Sequence, residues 1–240
     1  MKLRIQSLAL LVLALGGLGA GGIWYLQYIG YDQKGLLRLP YTGAFLCACA
    51  VVMLFVLWAT RMQPEEGCAT AASVWGAAGA LIPALGLLIS FPAHLYAAKN
   101  ALSLLCAAGS LAAAGALVYV AFCRWQGKET GAVPTGIVTV FCLLQLVCNY
   151  RSWMSQPQLH RYIFHLLHLV CLALSCYHQT ALESGERGLR RYFRCSLAMI
   201  LLGCLAIPGN DQWLSIACFV LYGLGNLLAW PRHDGEAGAP

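Results

Sequence analysis

Charge is what this chain has least of. Only 10 % of its 240 residues are Asp, Glu, Lys or Arg, against roughly 25 % in a soluble globular domain. Hydrophobic residues take 60 % of the sequence. That balance excludes a water-soluble enzyme, a disordered chain and a nucleic-acid domain, each of which needs a polar or charged surface. No C-x-x-C pair or C-x-x-C-H run occurs among the 12 cysteines, so thiol redox chemistry and covalently attached haem have no support. H-E-x-x-H, G-x-S-x-G and paired aspartates are also absent. Most cysteines, Cys106, Cys142 and Cys204 among them, lie inside apolar runs, where a free thiol packs as a small hydrophobe.

What the sequence has is long apolar runs. A bilayer core of about 30 Å takes roughly 20 apolar residues per helix. Eight runs approach that length: 5–26, 41–60, 70–91, 101–122, 132–149, 159–182, 192–207 and 213–230. The last two are short and are divided by the turn sequence Pro208-Gly209-Asn210-Asp211-Gln212. The expected fold is all-α: a polytopic membrane bundle of one domain, residues 1–230, followed by a short disordered tail, 231–240. Lys2 and Arg4 before an apolar stretch would also suit a signal peptide. The run continues through Ile23, Trp24 and Leu26, which favours a retained helix.

Basic residues orient the bundle, because cytoplasmic loops hold the excess of Lys and Arg. With the N-terminus inside, Lys2, Arg4, Arg61, Arg124, Lys128, Arg187, Arg190, Arg191, Arg194 and Arg232 are cytoplasmic. Lys34, Arg38, Lys99, Arg151 and Arg161 are outside. Both termini are then cytoplasmic. Trp and Tyr favour the two membrane interfaces. Trp24, Tyr25, Tyr41, Tyr96, Tyr150, Trp153 and Trp213 fall at outer ends, and Trp58, Trp125, Tyr192 and Trp230 at inner ends. The cluster Arg187, Arg190, Arg191 and Arg194 sets topology and attracts anionic lipid, or docks a partner. Pro83 and Pro134 are candidate kinks, while Pro92 falls in a loop. Arg61-Met62-Gln63 and Arg124-Trp125-Gln126 stand 63 residues apart, with Arg187 one interval further on, a candidate internal repeat of the kind transporters use.

The sixth run differs from the others. At 100° per residue, His160, Arg161, His165, His168, Cys171, Ser175, His178 and Gln179 share one arc of the helix. Such a stripe faces the bundle or a wet cavity rather than lipid. Gln145 and Asn149 on the fifth run share the outer depth of His165 and His168, and Asn226 on the last is level with His178 and Gln179. These residues make a candidate ligand or proton pathway, with interhelical hydrogen bonding as the purely structural account. His165, His168 and Cys171 rise at i, i+3 and i+6, and with His94 they form a candidate metal set. The sequence requires no cofactor. No Asp or Glu lies within a run, and Asp32, Glu183 and Asp211 read as solvated charges in loops or at membrane edges.

The segment Tyr150-Arg151-Ser152-Trp153-Met154-Ser155-Gln156-Pro157-Gln158-Leu159-His160-Arg161-Tyr162, followed by an apolar helix, resembles a stretch in uncharacterised multispanning membrane proteins of Gram-positive anaerobic bacteria. The resemblance extends to the end of the chain. It implies a bacterial cytoplasmic membrane; that group has no established activity, so it carries over no catalytic residue.

The expectation is a multi-pass protein of the inner membrane that handles a small solute or ion, or assists a transporter. Its partners are the bilayer and another membrane subunit or a second copy, and no nucleic acid. Two alternatives stand: a sensor or assembly subunit acting through helix packing and its basic loop, and a membrane-embedded metal-dependent enzyme.

Overall fold

Long runs with few side-chain partners leave each backbone N–H and C=O dependent on its own chain, and an α-helix satisfies them within one segment. The computed structural model describes residues 5–30, 54, 73–98, 100–154, 159–185 and 188–229, with backbone alone at 26–28, 30, 94, 97 and 159–161. Among the described residues there are seven helices and no strand: α1 (Ile5–Gly30), α2 (Val74–Ala97), α3 (Ala101–Gln126), α4 (Ala132–Trp153), α5 (Leu159–Glu183), α6 (Leu189–Ala206) and α7 (Trp213–Leu228). The run expected at 41–60 lies outside the described residues except for Leu54, as do Arg61 and the tail 231–240. Four helices, α1 to α4, are long and apolar enough to cross a membrane, and α7 is apolar but shorter.

Several helices continue past their apolar runs, because backbone hydrogen bonding does not stop where hydropathy falls. α3 runs on through Arg124 to Gln126 and ends where Gly127 takes the left-handed conformation, φ 69°, which glycine adopts without strain. α2 extends to Ala97, so Pro92 sits inside the helix beside Pro83 instead of in a loop. Pro134 falls in the first turn of α4, where the missing N–H has no intrahelical acceptor to lose, so it needs no kink.

Six helices close into a ring. α2 packs on α3, α3 on α4, α4 on α5, α5 on α6, α6 on α7, and α7 returns to α2, with α1 outside against α6 and α7. Within the ring consecutive helices alternate in direction. At one end, here the Arg124 end, Ser73 N–H donates to Arg124 O at 3.3 Å, Thr135 to Glu183 at 2.7 Å, and Gln6 to Leu228 O at 3.0 Å. At the other, the Asn210 end, the α6–α7 turn meets the last turn of α4. α1 and α2 run in the same direction.

Ring closure depends on how near α7 comes to α2. A Cβ added at Gly225 would lie 2.6 Å from Gly79 Cα and 2.8 Å from Trp75 O. Those are backbone atoms, which cannot swing aside as a flexible side chain does. The outward faces are apolar: Leu81, Leu85 and Ile89 of α2, Leu104, Leu111 and Val118 of α3, and Val133, Val140 and Val147 of α4 are exposed. Polar side chains turn inward, including Ser110, Thr135, Gln145, His168, Ser196 and Asn226. Gly225→Ala is expected to cost about 1–3 kcal/mol by overpacking, read as a lower unfolding midpoint in detergent. Gly115→Ala, whose Cβ meets nothing within 4 Å, should leave that midpoint unchanged or slightly raised.

Candidate functional site

The polar stripe of α5 is the axis of the site. His165, His168, Ser175 and Gln179 are buried, while Ile163, Leu167, Val170 and Leu174 are exposed on the other side. Spacings of three and four residues return the polar positions to one helix face, and ring closure turns that face inward. Cys171 and His178 are half-buried at its edges. His178 rests against Tyr177, with ring centroids 5.3 Å apart.

A hydrogen-bonded cap closes the Asn210 end. Asn210 Nδ2 donates to His165 Nδ1 at 2.8 Å, and Gln212 N–H donates to Asn210 Oδ1 at 2.9 Å. The Gln212 and Asn149 amides pair reciprocally at 3.2 and 3.3 Å. Trp153 lies beside the His165 ring at 4.9 Å and stacks on Tyr162 at 4.5 Å. Trp153 is therefore buried, at the last residue of α4. Its indole serves the cap because the last turn of α4 leans on α5.

Below the cap, His168 Nδ1 meets Met199 O at 2.9 Å. The carbonyl can only accept, so Nδ1 carries the proton and the neutral ring presents Nε2 as a bare acceptor. This approach needs Gly203, where a Cβ would fall 2.7 Å from Nδ1. His168 Nε2 and Gln145 Oε1 are buried without a hydrogen-bond partner, at 0 % and 4 % exposure. Buried acceptors of this kind mark where an ordered water would bind. Ser175 and Ser196 then join α5 to α6 at 2.7 Å between hydroxyl oxygens.

A second network lies at the Arg124 end. Arg124 donates to the Asn226 side-chain oxygen and to Gly76 O at 3.4 Å. Asn226 Nδ2 donates to Gln179 Oε1 at 3.4 Å, and Tyr222 O–H donates to the same oxygen at 2.9 Å. Gln179 Nε2 donates to Glu183 Oε1 at 3.1 Å, while Thr135 donates to Glu183 Oε2 at 2.7 Å. A guanidinium is thus joined to a carboxylate through two buried amides. Beside this chain lies a cavity of about 470 Å³ lined by Arg124, Lys128, Glu129, Gln179, Glu183, Tyr192 and Asn226 among others.

The structure brings together Gln179 and Asn226 at this end, and His165 and Asn149, through Asn210 and Gln212, at the other. Gln145 shares the ring interior without bonding to the histidines. His165 and His168 stand 6.5 Å apart between ring centroids. Among the described residues no group of three or more His, Cys, Asp or Glu is placed to hold a metal, and the side chains of His94, His160 and Arg161 are outside the description. Arg190 and Arg191 are exposed at the Arg124 end, Arg194 is half-buried, and Arg187 lies outside the described residues.

Glu183, Arg124, Tyr222 and Asn210 were missed from the sequence as site residues. Glu183 is half-buried with both oxygens bonded, not a solvated edge charge. Its signal was the i, i+4 spacing from Gln179, which puts it on the polar face. Tyr192, in the first turn of α6, is buried against the cavity. Tyr222 is a single hydroxyl in an apolar run, and no sequence pattern marks it.

Tyr222→Phe removes one hydrogen bond at Gln179 and is expected to cost about 1 kcal/mol. Gln179→Leu leaves the Tyr222 and Asn226 donors unpaired and should cost about twice as much, a difference visible in thermal unfolding. No family model, no curated protein and no solved structure matches the chain, so the functional reading rests on this geometry.

Proposed function

We propose that this chain is a multi-pass protein of the bacterial cytoplasmic membrane that handles a small solute or ion through the interior of its ring. The observation that carries this reading is a line of buried polar groups in an otherwise apolar bundle. Apolar side chains are exposed on α2 to α5 and on α7, and within a mainly apolar core Asn149, His165, His168, Gln145, Ser175, Ser196, Gln179 and Asn226 are buried between the Asn210 cap and a cavity at the Arg124 end. A large apolar exterior suits lipid, and polar groups in such a setting face the bundle or a wet cavity.

The orientation follows from charge and aromatics. Arg124, Lys128, Arg190, Arg191 and Arg194 gather at one end, which the positive-inside tendency assigns to the cytoplasm. Exposed Trp75 and Trp125 mark that interface, and Trp24, Tyr96, Tyr150 and Trp213 the opposite one. α1 and α2 run in the same direction, as they do when one further crossing separates them. Eight crossings with both termini in the cytoplasm fit that reading. Arg190 and Arg191, exposed beside the membrane surface, are then positioned for anionic lipid.

In this arrangement the cytoplasmic side is open and the outer side is shut. From Gln179 to His165 is 14 residues, a depth of about 21 Å at 1.5 Å per residue. In the proposed cycle a solute entering at Gln179 has to part the closed packing at Ser175 and Ser196, both buried and bonded to each other, to meet the free acceptors His168 Nε2 and Gln145 Oε1. It leaves only if the contacts of Asn210 with His165 and of Gln212 with Asn149 separate. Those contacts come from a turn, so the turn can act as the outer gate of an alternating-access cycle.

Reporter fusions should place both termini in the cytoplasm; termini on opposite sides would sink the eight-crossing topology. Vesicles carrying the purified protein are expected to release some members of a panel of amino acids, carboxylates, sugars and monovalent ions faster than empty vesicles. Asn210→Ala should raise that rate by loosening the cap. No protein-dependent release of any member would overturn solute handling in favour of a sensor or assembly subunit.

A further inference from the structure

We infer that the cavity at the Arg124 end binds a small dipolar solute, carrying one ammonium and one carboxylate, between Glu183 and Arg124. This deepens the solute-handling reading and rests on it. The argument begins with charge. Two cations, Arg124 and Lys128, and two anions, Glu129 and Glu183, line the same cavity. A simple anion there meets two carboxylates, and a simple cation meets a guanidinium and an ammonium. A molecule bearing both charges meets a partner at each end.

The placement of the two inner charges strengthens this. Arg124 comes from α3 and Glu183 from α5, and Asn226 and Gln179 connect them as an unbroken hydrogen-bonded chain. Asn226 and Gln179 are 7 % and 5 % exposed, so the spacing is built into the ring and does not depend on surface rotamers. The opposite charges are held apart by two amides and do not neutralise each other in direct contact. Each also keeps binding capacity. Arg124 makes its protein contacts through Nη1, leaving the Nε and Nη2 donors as a fork for a carboxylate. Each Glu183 oxygen accepts one protein hydrogen bond, leaving a lone pair on each for an ammonium. The volume, about 470 Å³, lies within the range of small-molecule sites.

The same chemistry occurs in a free amino acid and in the headgroup of phosphatidylethanolamine, with phosphate in place of carboxylate. Ring closure favours the free solute. Each of α2 to α7 packs on both of its ring neighbours, so a free solute needs no separation of helices whereas a headgroup entering between them would need its acyl chains to part such a contact.

The test uses the purified full chain in mild detergent, with L-alanine as the probe and propionate and ethylamine, which are L-alanine without its ammonium and without its carboxylate, as controls. L-Alanine at saturation is expected to raise the unfolding midpoint by about 5 °C, and propionate or ethylamine at the same concentration to leave it unmoved. Glu183→Gln and Arg124→Gln should each abolish the alanine shift. Arg190→Gln, outside the cavity, should retain it. If Arg124→Gln does not fold, Glu183→Gln decides alone, since its amide still offers an oxygen to Thr135. Equal shifts from propionate and L-alanine, or an alanine shift that survives Glu183→Gln, would overturn the dipolar assignment. A shift from short-chain phosphatidylethanolamine but none from L-alanine would overturn the free solute. Release of sugars or monovalent ions from vesicles without any alanine shift would remove this inference and leave solute handling standing. Absence of both would remove the two together.

Discussion

A polar side chain on one of these helices has one favourable direction to point, and the architecture follows from that restriction. The outward faces of α2, α3 and α4 are sheathed in Leu, Ile and Val, so an amide or imidazole turned outward would lose its hydrogen bonds to an apolar surround. Turned inward, it must find a partner or border water. The ring supplies both. Asn210 satisfies His165, Met199 O satisfies one nitrogen of His168, and Ser175 and Ser196 satisfy each other. The few groups left over, His168 Nε2 and Gln145 Oε1, are buried within the bundle without a partner.

Small residues make the closed arrangement possible. For helices in a bilayer the hydrophobic drive between them is removed, and association relies on close contact and dispersion. At Gly79 and Gly225 the backbones of α2 and α7 approach more nearly than any side chain would permit. Without that approach the ring would stand open between its first and last members, and the interior would face lipid. Gly203 plays a local version of the same part by admitting the His168 ring to the backbone of α6.

The two ends of the ring are chemically unlike. At the Asn210 end amides, an imidazole and an indole fill the space with neutral, mutually satisfied groups. At the Arg124 end charges line a cavity and are only partly paired. A neutral cap can open and reseal at the cost of a few hydrogen bonds, whereas a charged vestibule holds its polarity and selects what enters. The division of labour proposed here, gate at one end and recognition at the other, rests on that contrast.

Much of this was legible before any fold was known. Hydropathy located the described helices to within a few residues, since an apolar run of that length has little alternative to a helix. Periodicity identified the α5 stripe, because spacing along a helix fixes which residues share a face whatever the helix packs against. What the spacing left open was which neighbour each member of the stripe meets. Gln179 meets Asn226 and Tyr222, His165 meets a turn, and His178 falls beside Tyr177. Glu183 and Arg124 looked like edge charges because hydropathy averages over a window and cannot see the hydrogen bonds that draw a single charge inward. The sequence by itself determined helix type, helix number among the described segments and the polar stripe of α5, all of which are properties of local order along the chain. Only the tertiary structure decided that six helices close on themselves, shutting one end and assembling a charged cavity at the other. That outcome depends on contacts between residues as far apart as Gly79 and Gly225 or Arg124 and Asn226, which no local pattern encodes.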